Sequence, residues 1–285
     1  MDSATYKNTV SRTFGEAAAD YDRTGVEFFT PMARRLVERA APRPGQRVLD
    51  VGCGRGACLF PAARQVGPRG TVLGIDIAEE MIDEAKGEVA HLGVPQVELR
   101  VMDAESPDLP ERSFDLVLGS YSLIFLQDAP SALARYAPLI ADGGRLAFTS
   151  PVFSDDTFPF LPPLFTDLIP FSLLRFLPED WNQEGLRKRF HRWLAHPEDL
   201  RSTLEGAGFT EVDVVDESID LVALSGSAWV DWSHTQGMRL LWKHLPPEES
   251  AWLRERLITA LDALRGSDPL RIPTPVRFVS ARVRR

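Results

Sequence analysis

One stretch of sequence decides the fold: Val48-Leu49-Asp50-Val51-Gly52-Cys53-Gly54-Arg55-Gly56. An apolar strand leads into an acidic residue and then into three glycines at alternate positions. Because glycine has no Cβ, the backbone can turn sharply there and a ligand can approach the main chain closely. The pattern predicts a ligand pocket at the carboxyl end of this strand, although glycine turns also close many loops that bind nothing.

Three further strands are predicted to end at the same rim. Thr71–Asp76 is a short β-branched strand whose final carboxylate follows Gly54 by 22 residues. In a doubly wound fold, an acid at this position reaches the ribose hydroxyls of a bound nucleoside. The other two predicted strands are Val97–Val101, which leads into residues 102–105, and 114–118, which leads into residues 119–120.

Strand and helix patterns alternate over residues 31–150. Helices are predicted over 31–40 and 78–92, and Gly93 closes the second of them. The remaining three of seven strands are predicted over 145–149, 212–215 with an extension toward 221, and 276–283. This alternation predicts an α/β fold in which crossover helices join a mostly parallel, doubly wound sheet.

These motifs resemble the class I S-adenosylmethionine-dependent methyltransferases, in the small-molecule branch of the ubiquinone and menaquinone C-methyltransferases. The resemblance covers residues 14 to about 150, and a weaker similarity extends over residues 197–209. It implies a Rossmann-like, seven-stranded sheet and S-adenosyl-L-methionine as the cofactor. A nicotinamide site fits less well, because the glycine spacing is G-x-G-x-G rather than G-x-G-x-x-G.

The resemblance also implies a role for each residue of the cofactor site. The methionine part would lie against Gly52, Gly54 and the backbone near Cys53, and Asp76 would bind the ribose hydroxyls. Ile77 and Met81 would pack on the adenine, whose edge Asp103 and the Ala104 amide would read. Asp50 and Ser120, each near the end of a strand, complete the predicted cofactor site.

The amino-terminal segment from Phe14 to Asp22 looks like a helix that closes over the cofactor in the same branch of methyltransferases. By this likeness Tyr21 would lie near the sulfonium or the substrate and take a catalytic role. A tyrosine that is merely packed is the alternative. The run of alanines over 17–19 departs from the family pattern and leaves the direction of Tyr21 open.

Length, charge and cysteine content limit the classes of protein to which this chain can belong. With 285 residues and 44% hydrophobic content, the chain suits one large domain with an elaboration. A net charge of −9 argues against nucleic acid as a partner. Only Cys53 and Cys58 are present, so we expect no disulfide framework and a cytoplasmic location. The first residues also lack the apolar core of a signal peptide.

The organisation changes near Ser150. We expect an N-terminal helical lid over 1–30, a cofactor-binding core over 31–150, substrate-cap insertions over 151–275 and a last core strand over 276–285. The cap carries all six tryptophans and a proline-broken aromatic run that is unsuited to spanning a membrane. Its aromatic residues fit a pocket wall, a second small core or an interface between copies of the chain. The predicted substrate residues are Tyr121, Phe153, Phe160 and Phe165.

Methyl transfer asks the protein mainly to align the reactants, and a general base helps only when the acceptor must lose a proton. His191 and His234 are the candidate bases, with Glu179 and Asp180 as further options, and structural roles are the alternative for both histidines. No spacing of histidines, cysteines or carboxylates predicts a metal site, and a catechol-type magnesium site assembled from distant residues stays open as an alternative.

The sequence favours O- or C-methylation of a small, largely apolar acceptor, a specialised metabolite or a quinone-like compound. After the fourth strand, amino-group methyltransferases carry an Asn/Asp-Pro-Pro-Tyr/Phe motif. This chain has Gly119-Ser120-Tyr121-Ser122 there instead, which argues against N-methylation. The alternatives are a cyclase that keeps the cofactor unconsumed, a non-catalytic cofactor-binding protein, and methylation of a macromolecule.

Overall fold

The apolar runs form one sheet in the computed structural model of the chain, which describes residues 2–153, 161–162, 164–182, 184–185, 193–265 and 267–283. Its eight strands in these residues are β1 (Val26–Glu27), β2 (Arg47–Val51), β3 (Thr71–Asp76), β4 (Val97–Val101), β5 (Phe114–Ser120), β6 (Ile140–Pro151), β7 (Phe209–Ala223) and β8 (Leu270–Val283). Their order across the sheet is β1-β7-β8-β6-β5-β2-β3-β4. The five strands from β6 to β4 are parallel, and β8 runs antiparallel to both β6 and β7.

Helices cover both faces of this sheet. The helices of the described residues are α1 (Ser3–Gly15), α2 (Phe29–Ala40), α3 (Leu59–Val66), α4 (Glu79–Leu92), α5 (Ala129–Tyr136), α6 (Leu164–Leu168), α7 (Pro197–Gly206), α8 (Gly226–Ser233), α9 (Arg239–His244) and α10 (Pro247–Arg265). Strand β2 is buried from its second residue to its last, as expected for a parallel strand covered on both faces. None of these helices is both long and apolar enough to cross a membrane.

The predicted fold class is confirmed, and two details differ. The sheet has an eighth strand, β1, whose two residues are too few to show any periodicity in the sequence. Strands β7 and β8 are also longer than predicted, because they pair with each other over most of their lengths, from Phe209 with Val283 to Ala223 with Leu270. The last strand therefore begins six residues before the predicted start of the final core segment.

The helix predicted over the Phe14–Asp22 segment is wrong. Helix α1 ends at Gly15, and residues 16–22 form successive turns that end with Asp22 at a left-handed φ of +57°. Arg55 explains this difference, because its Nη1 donates to the carbonyl oxygens of Ala18 (2.9 Å) and Ala19 (2.7 Å). These turns therefore pack on the glycine loop through Arg55, a residue that lies 37 positions after Ala18.

The described part of the cap region adds buried aromatic residues to the main apolar core. The ring of Phe165 on α6 is fully buried and stacks on Trp229 of α8, with centroids 4.2 Å apart. Helix α8 in turn packs closely on α10, because a Cβ at Gly226 would lie 2.7 Å from the carbonyl oxygen of Ile258. These aromatic residues therefore serve packing. Phe160 and His191 lie outside the described residues.

Candidate active site

The carboxyl ends of β2, β3, β4 and β5 open onto one cavity of about 410 Å³. This is the edge at which parallel α/β sheets bind ligands. All the residues of the predicted cofactor site line this cavity: Asp50, Gly52, Cys53, Gly54, Asp76, Ile77, Met81, Asp103, Ala104 and Ser120. Tyr21 and Tyr121 line it as well.

The glycine loop after β2 approaches its neighbours and the cavity without side chains. Gly52 has a φ of +63°, and a Cβ there would lie 2.5 Å from the Cβ of Ser122. Gly54 has a φ of +51°, and a Cβ there would meet nothing within 4 Å. Gly54 therefore leaves open space beside its backbone, which suits a ligand that lies against the loop.

Asp76 holds the glycine loop in place. Its Oδ2 accepts a hydrogen bond from the Gly54 N–H (2.9 Å), and its Oδ1 accepts one from the Ala78 N–H (2.9 Å). Burial raises the pKa of Asp76, and the backbone hydrogen bonds oppose that shift. Each carboxylate oxygen has a further lone pair, so ribose hydroxyls remain compatible with this arrangement.

Asp50 lies under the loop with an unused oxygen. The residue is 1% exposed, and in the described part of the chain its Oδ2 has no hydrogen-bond partner. Burial, together with the nearby charge of Asp76, raises the pKa of Asp50 to about 7. A positively charged ligand in the cavity would stabilise the ionised form of this carboxyl group.

The N-terminal helix contacts several residues of the predicted cofactor site. Lys7 Nζ lies 2.7 Å from Asp103 Oδ2 and 2.8 Å from Glu105 Oε2, while Ser11 Oγ donates to the Ile77 carbonyl oxygen at 3.2 Å. Asp103, the predicted partner of the adenine edge, is therefore paired with Lys7, which was not predicted as a site residue. Lys7 carries no local motif that would have revealed it.

Five aromatic residues that contact one another line the same cavity and form an aromatic wall: Tyr21, Phe28, Phe29, Tyr121 and Trp232. Tyr21 stacks on Phe29 (5.3 Å between centroids), and Phe29 packs against Trp232 at 5.6 Å. Phe28 contacts Tyr121 edge to face at 5.7 Å. Neither phenylalanine was predicted as a site residue, although an adjacent aromatic pair directly before a predicted helix is a usable signal.

Tyr121 and Tyr21 present neutral phenols. Tyr121 has a left-handed φ of +54°, and its N–H donates to Oγ1 and to the carbonyl oxygen of Thr149 at 3.1 and 3.3 Å. This strained turn directs the chain out of β5 into the cavity. Burial raises the pKa of both tyrosines well above the usual value, and for Tyr21 the charges of Asp22 and Asp76 add to the shift.

Three residues that were predicted for the site lie elsewhere. His234 is half-buried and stacks on Trp242 at 4.5 Å, and burial, with the nearby charge of Arg254, lowers its pKa. Phe153 and Phe165 are buried in the apolar core, where packing stabilises them. None of these three lines the cavity. The structure instead brings Gln236 and Trp232 to it, from the segment that follows β7.

Known proteins resemble this chain over most of its length. A family model described as a methyltransferase domain matches residues 42–194. Over 277 residues the chain is 39% identical to nocamycin O-methyltransferase of Saccharothrix syringae, a match that covers 95% of the chain and 97% of that protein. The chain belongs to the methyltransferase family. The family and enzyme class that the sequence predicted are confirmed.

The methyltransferase is also 58% identical over 212 residues to aklanonic acid methyltransferase DauC of Streptomyces sp. (strain C5), with 74% of this chain and 96% of that protein covered. Its fold is similar to that of the YcgJ protein from Bacillus subtilis, with a TM-score of 0.59, 16% identity, and 90% of this chain and 99% of that chain covered.

S-adenosylmethionine is the cofactor, as predicted. The site fits this molecule, because Gly54 leaves open space beside the loop and Asp50 offers a buried carboxylate oxygen to a positively charged ligand. Among the described residues, no group of three or more histidines, cysteines or carboxylates is close enough to hold a metal ion.

Proposed function

We propose that the methyltransferase methylates an oxygen that is already ionised, a carboxylate or an acidic phenol, on a small aromatic specialised metabolite. The observation that carries this proposal is the aromatic wall, which lines the same cavity as the predicted cofactor residues. Flat rings of the wall suit a flat acceptor, because aromatic pairs pack by stacking and by edge-to-face contact.

The chemistry asks the protein for alignment rather than for acid or base. When bound, S-adenosylmethionine supplies a methyl group that the positive sulfur already activates. The glycine loop, Asp50 and Asp76 would hold the methionine and ribose parts, and Ile77, Met81 and Asp103 would hold the adenine. The aromatic wall would align the acceptor and exclude water from the reacting atoms.

An ionised acceptor needs no general base. Among the described residues that line the cavity there is no histidine, and the raised pKa values of Tyr21 and Tyr121 keep both phenols protonated at neutral pH. Two exposed arginines, Arg34 and Arg64, line the cavity and would attract an anion. The names of the relatives agree with this, since one acts on an acid and the other is an O-methyltransferase.

The test is turnover with aklanonic acid and a panel of aromatic carboxylic acids and phenols, with methyl-labelled cofactor. We expect label in the small molecule and a mass gain of one methylene unit. Alkaline hydrolysis then identifies the bond, because a methyl ester releases its label whereas an aryl ether or a new carbon–carbon bond does not. A stable label on carbon would contradict O-methylation, and an isomer of unchanged mass with the cofactor unconsumed would favour a cyclase.

We also infer that residues 1–30 act as a lid, 31–150 bind the cofactor and 151–275 shape the acceptor side, in a cytoplasmic protein. Cys53 and Cys58 are both buried and free, which supports a reducing compartment. Fractionation of the source cells tests the location.

A further inference from the structure

Arg55 belongs to the glycine loop, but its side chain holds a different segment of the chain. It directly follows Gly54, whose N–H donates to Asp76, and its side chain is only 9% exposed. Its Nη1 donates to the carbonyl oxygens of Ala18 and Ala19 at 2.9 and 2.7 Å. One side chain therefore joins the glycine loop to the turns over residues 16–22.

The second terminal nitrogen of Arg55 is directed toward helix α4. Its Nη2 lies 3.1 Å from Glu84 Oε2 and 3.7 Å from Glu88 Oε1. Four of the five N–H donors of a guanidinium group belong to these two terminal nitrogens. Protein groups therefore engage both nitrogens, which suits a side chain that positions a segment rather than one that binds a ligand.

The same turns also pack on residues of the predicted cofactor site. Ala18 forms a small apolar cluster with Ala78 and Met81 that is separate from the main core, and Phe14 and Tyr21 pack against this cluster. Met81 is a predicted contact of the adenine, and Ala78 donates to the carboxylate that holds the glycine loop. The position of the turns therefore depends on the geometry of the cofactor site.

Tyr21 is the residue that these turns bring to the cavity. Its N–H donates to the Ala17 carbonyl oxygen at 2.8 Å, and its ring stacks on Phe29 of the aromatic wall at 5.3 Å. Only Asp20 separates Tyr21 from Ala19, one of the two anchored carbonyls. The bond from the guanidinium group to this carbonyl therefore limits where the ring of Tyr21 can lie.

We propose that Arg55 is a positioning residue for methyl transfer, which acts through the turns over 16–22 and fixes Tyr21 relative to the glycine loop. The proposal rests on the proposed function, since the acceptor is taken to lie against the aromatic wall. Transfer requires the two reactants to be aligned, and a displacement of about 1 Å can lower a rate about a hundredfold. Arg55 links the loop that would hold the cofactor to a ring that would hold the acceptor.

The first experiment observes Tyr21 without any acceptor. The four tyrosines are replaced by 3-fluorotyrosine, the fluorine NMR signal of Tyr21 is assigned with Tyr21→Phe, and the protein is saturated with S-adenosylhomocysteine. Arg55→Met should shift or broaden this signal, because the turns lose their anchor, and Arg55→Lys should restore it in part. The signal of Tyr136, which is fully buried on α5, should not change and reports an intact fold.

The second experiment measures turnover of the panel compound that the wild type methylates best. Arg55→Met should lower kcat/KM for this acceptor about tenfold to a hundredfold, while the affinity for S-adenosylhomocysteine changes less than about threefold. In a Tyr21→Leu background the same change should cost less than about threefold, because the residue through which Arg55 acts is already absent. Arg55→Lys, which keeps the charge and a donor, should recover at least about threefold of the loss.

Arg23→Met is the matched control. Arg23 pairs with the same two carboxylates, Glu84 and Glu88, but its side chain is half-exposed and among the described residues makes no hydrogen bond to the carbonyls of the turns. Exposed ion pairs contribute little, so this variant should change kcat/KM less than about twofold and leave the Tyr21 signal in place.

The role of Arg55 is overturned if Arg55→Met leaves the Tyr21 signal unchanged, if its effect on kcat/KM is the same with and without Tyr21, or if it weakens S-adenosylhomocysteine binding as much as it lowers kcat/KM. The fluorine signal separates this failure from failure of the proposed function. A shifted Tyr21 signal in a protein that methylates no compound of the panel contradicts the proposed function alone. An unshifted signal in a protein that methylates the panel contradicts the role of Arg55 alone.

Discussion

Asp76 combines two tasks in one side chain. It ties the glycine loop to the end of β3, and it is the predicted partner of the ribose. Asp76→Ala should lower the affinity for S-adenosylhomocysteine roughly tenfold to a hundredfold, because a charge-assisted hydrogen-bonded group contributes about 1.5–3 kcal/mol. Calorimetry measures this, with Asp83→Ala on the exposed side of α4 as the control. Unchanged binding in a folded Asp76 variant would contradict the assignment.

Asp50 predicts a dependence of stability on pH. Its pKa rises from 3.8 in the unfolded chain to about 7 in the fold, so the folded state holds its proton more tightly. The protonated group contributes stability below pH 4, and this contribution is lost as the pH rises toward about 7. Asp50→Asn keeps the shape without the charge. The free energy of unfolding of this variant should therefore exceed that of the wild type by an amount that grows from about pH 4 to pH 7 and stays constant above that range.

The advantage of Asp50→Asn should approach about 4 kcal/mol at most, since one pKa unit corresponds to about 1.4 kcal/mol. Urea unfolding of the cofactor-free protein at several pH values measures it. A gain that is the same at pH 5 and pH 8 would show that the carboxyl group does not titrate in this range.

At the scale of the element, α1 connects the end of β4 with helix α9. Lys7 pairs with Asp103 and Glu105 near its start, and Glu16, the residue after the helix, pairs with Arg239 and Lys243. Lys7→Met leaves two neighbouring carboxylates without their cation. We expect S-adenosylhomocysteine to dissociate about threefold to tenfold faster, and the amides of α1 to exchange hydrogen faster. The control is Lys86→Met, which removes an exposed ion pair with Asp83 on α4. Unchanged hydrogen exchange in α1 of the Lys7 variant would contradict this role of Lys7.

Phe165 was predicted as a pocket residue, and its burial predicts a different phenotype. Phe165→Ala should destabilise the protein by about 3–5 kcal/mol, because it opens a cavity beside Trp229. Urea unfolding measures the loss, and the KM of the acceptor should change little in the folded fraction. A raised KM at unchanged stability would return Phe165 to the acceptor site.

Local signals explain which elements the sequence predicted. Strands β2 to β5 and helices α2 and α4 carry their own periodicity and end in turns, so they were located to within a few residues. The end of α1 was not predictable, because it depends on Arg55, which lies 37 residues from Ala18. The lengths of β7 and β8 likewise depend on their mutual pairing, which no local pattern encodes.

The residues of the candidate site also fall into two groups, those that local sequence predicts and those that depend on distant contacts. The cofactor residues follow strand ends within one motif-rich region, so the fold brings them together. The aromatic wall draws Phe29 and Trp232 from segments about 200 residues apart, and only packing unites them. The direction of His234 was equally inaccessible, because it depends on a stacking partner, Trp242, on the following helix.

At the scale of the whole molecule, Arg277 on β8 connects three regions. It is 3% exposed, forms two hydrogen bonds to Asp216 on β7, and donates to the carbonyl oxygens of Leu194 and Ala195 before α7. Arg277→Leu should lower the free energy of unfolding by about 2–4 kcal/mol, since it leaves buried carbonyls without donors. Arg282→Leu, which breaks a half-exposed pair with Glu211, should cost less than about 1 kcal/mol. Similar losses in both variants would contradict the distinction.

Strand β8 lies between β6 and β7, yet the ribosome makes it after every other strand described here. Until residues 270–283 emerge, β6 has an unpaired edge, and the β1–β7 pair has no attachment to the rest of the sheet. The nascent chain therefore carries exposed strand edges throughout the synthesis of α8, α9 and α10, and such edges invite association with other chains. A pause in translation just before β8 would lengthen the interval in which these edges are exposed.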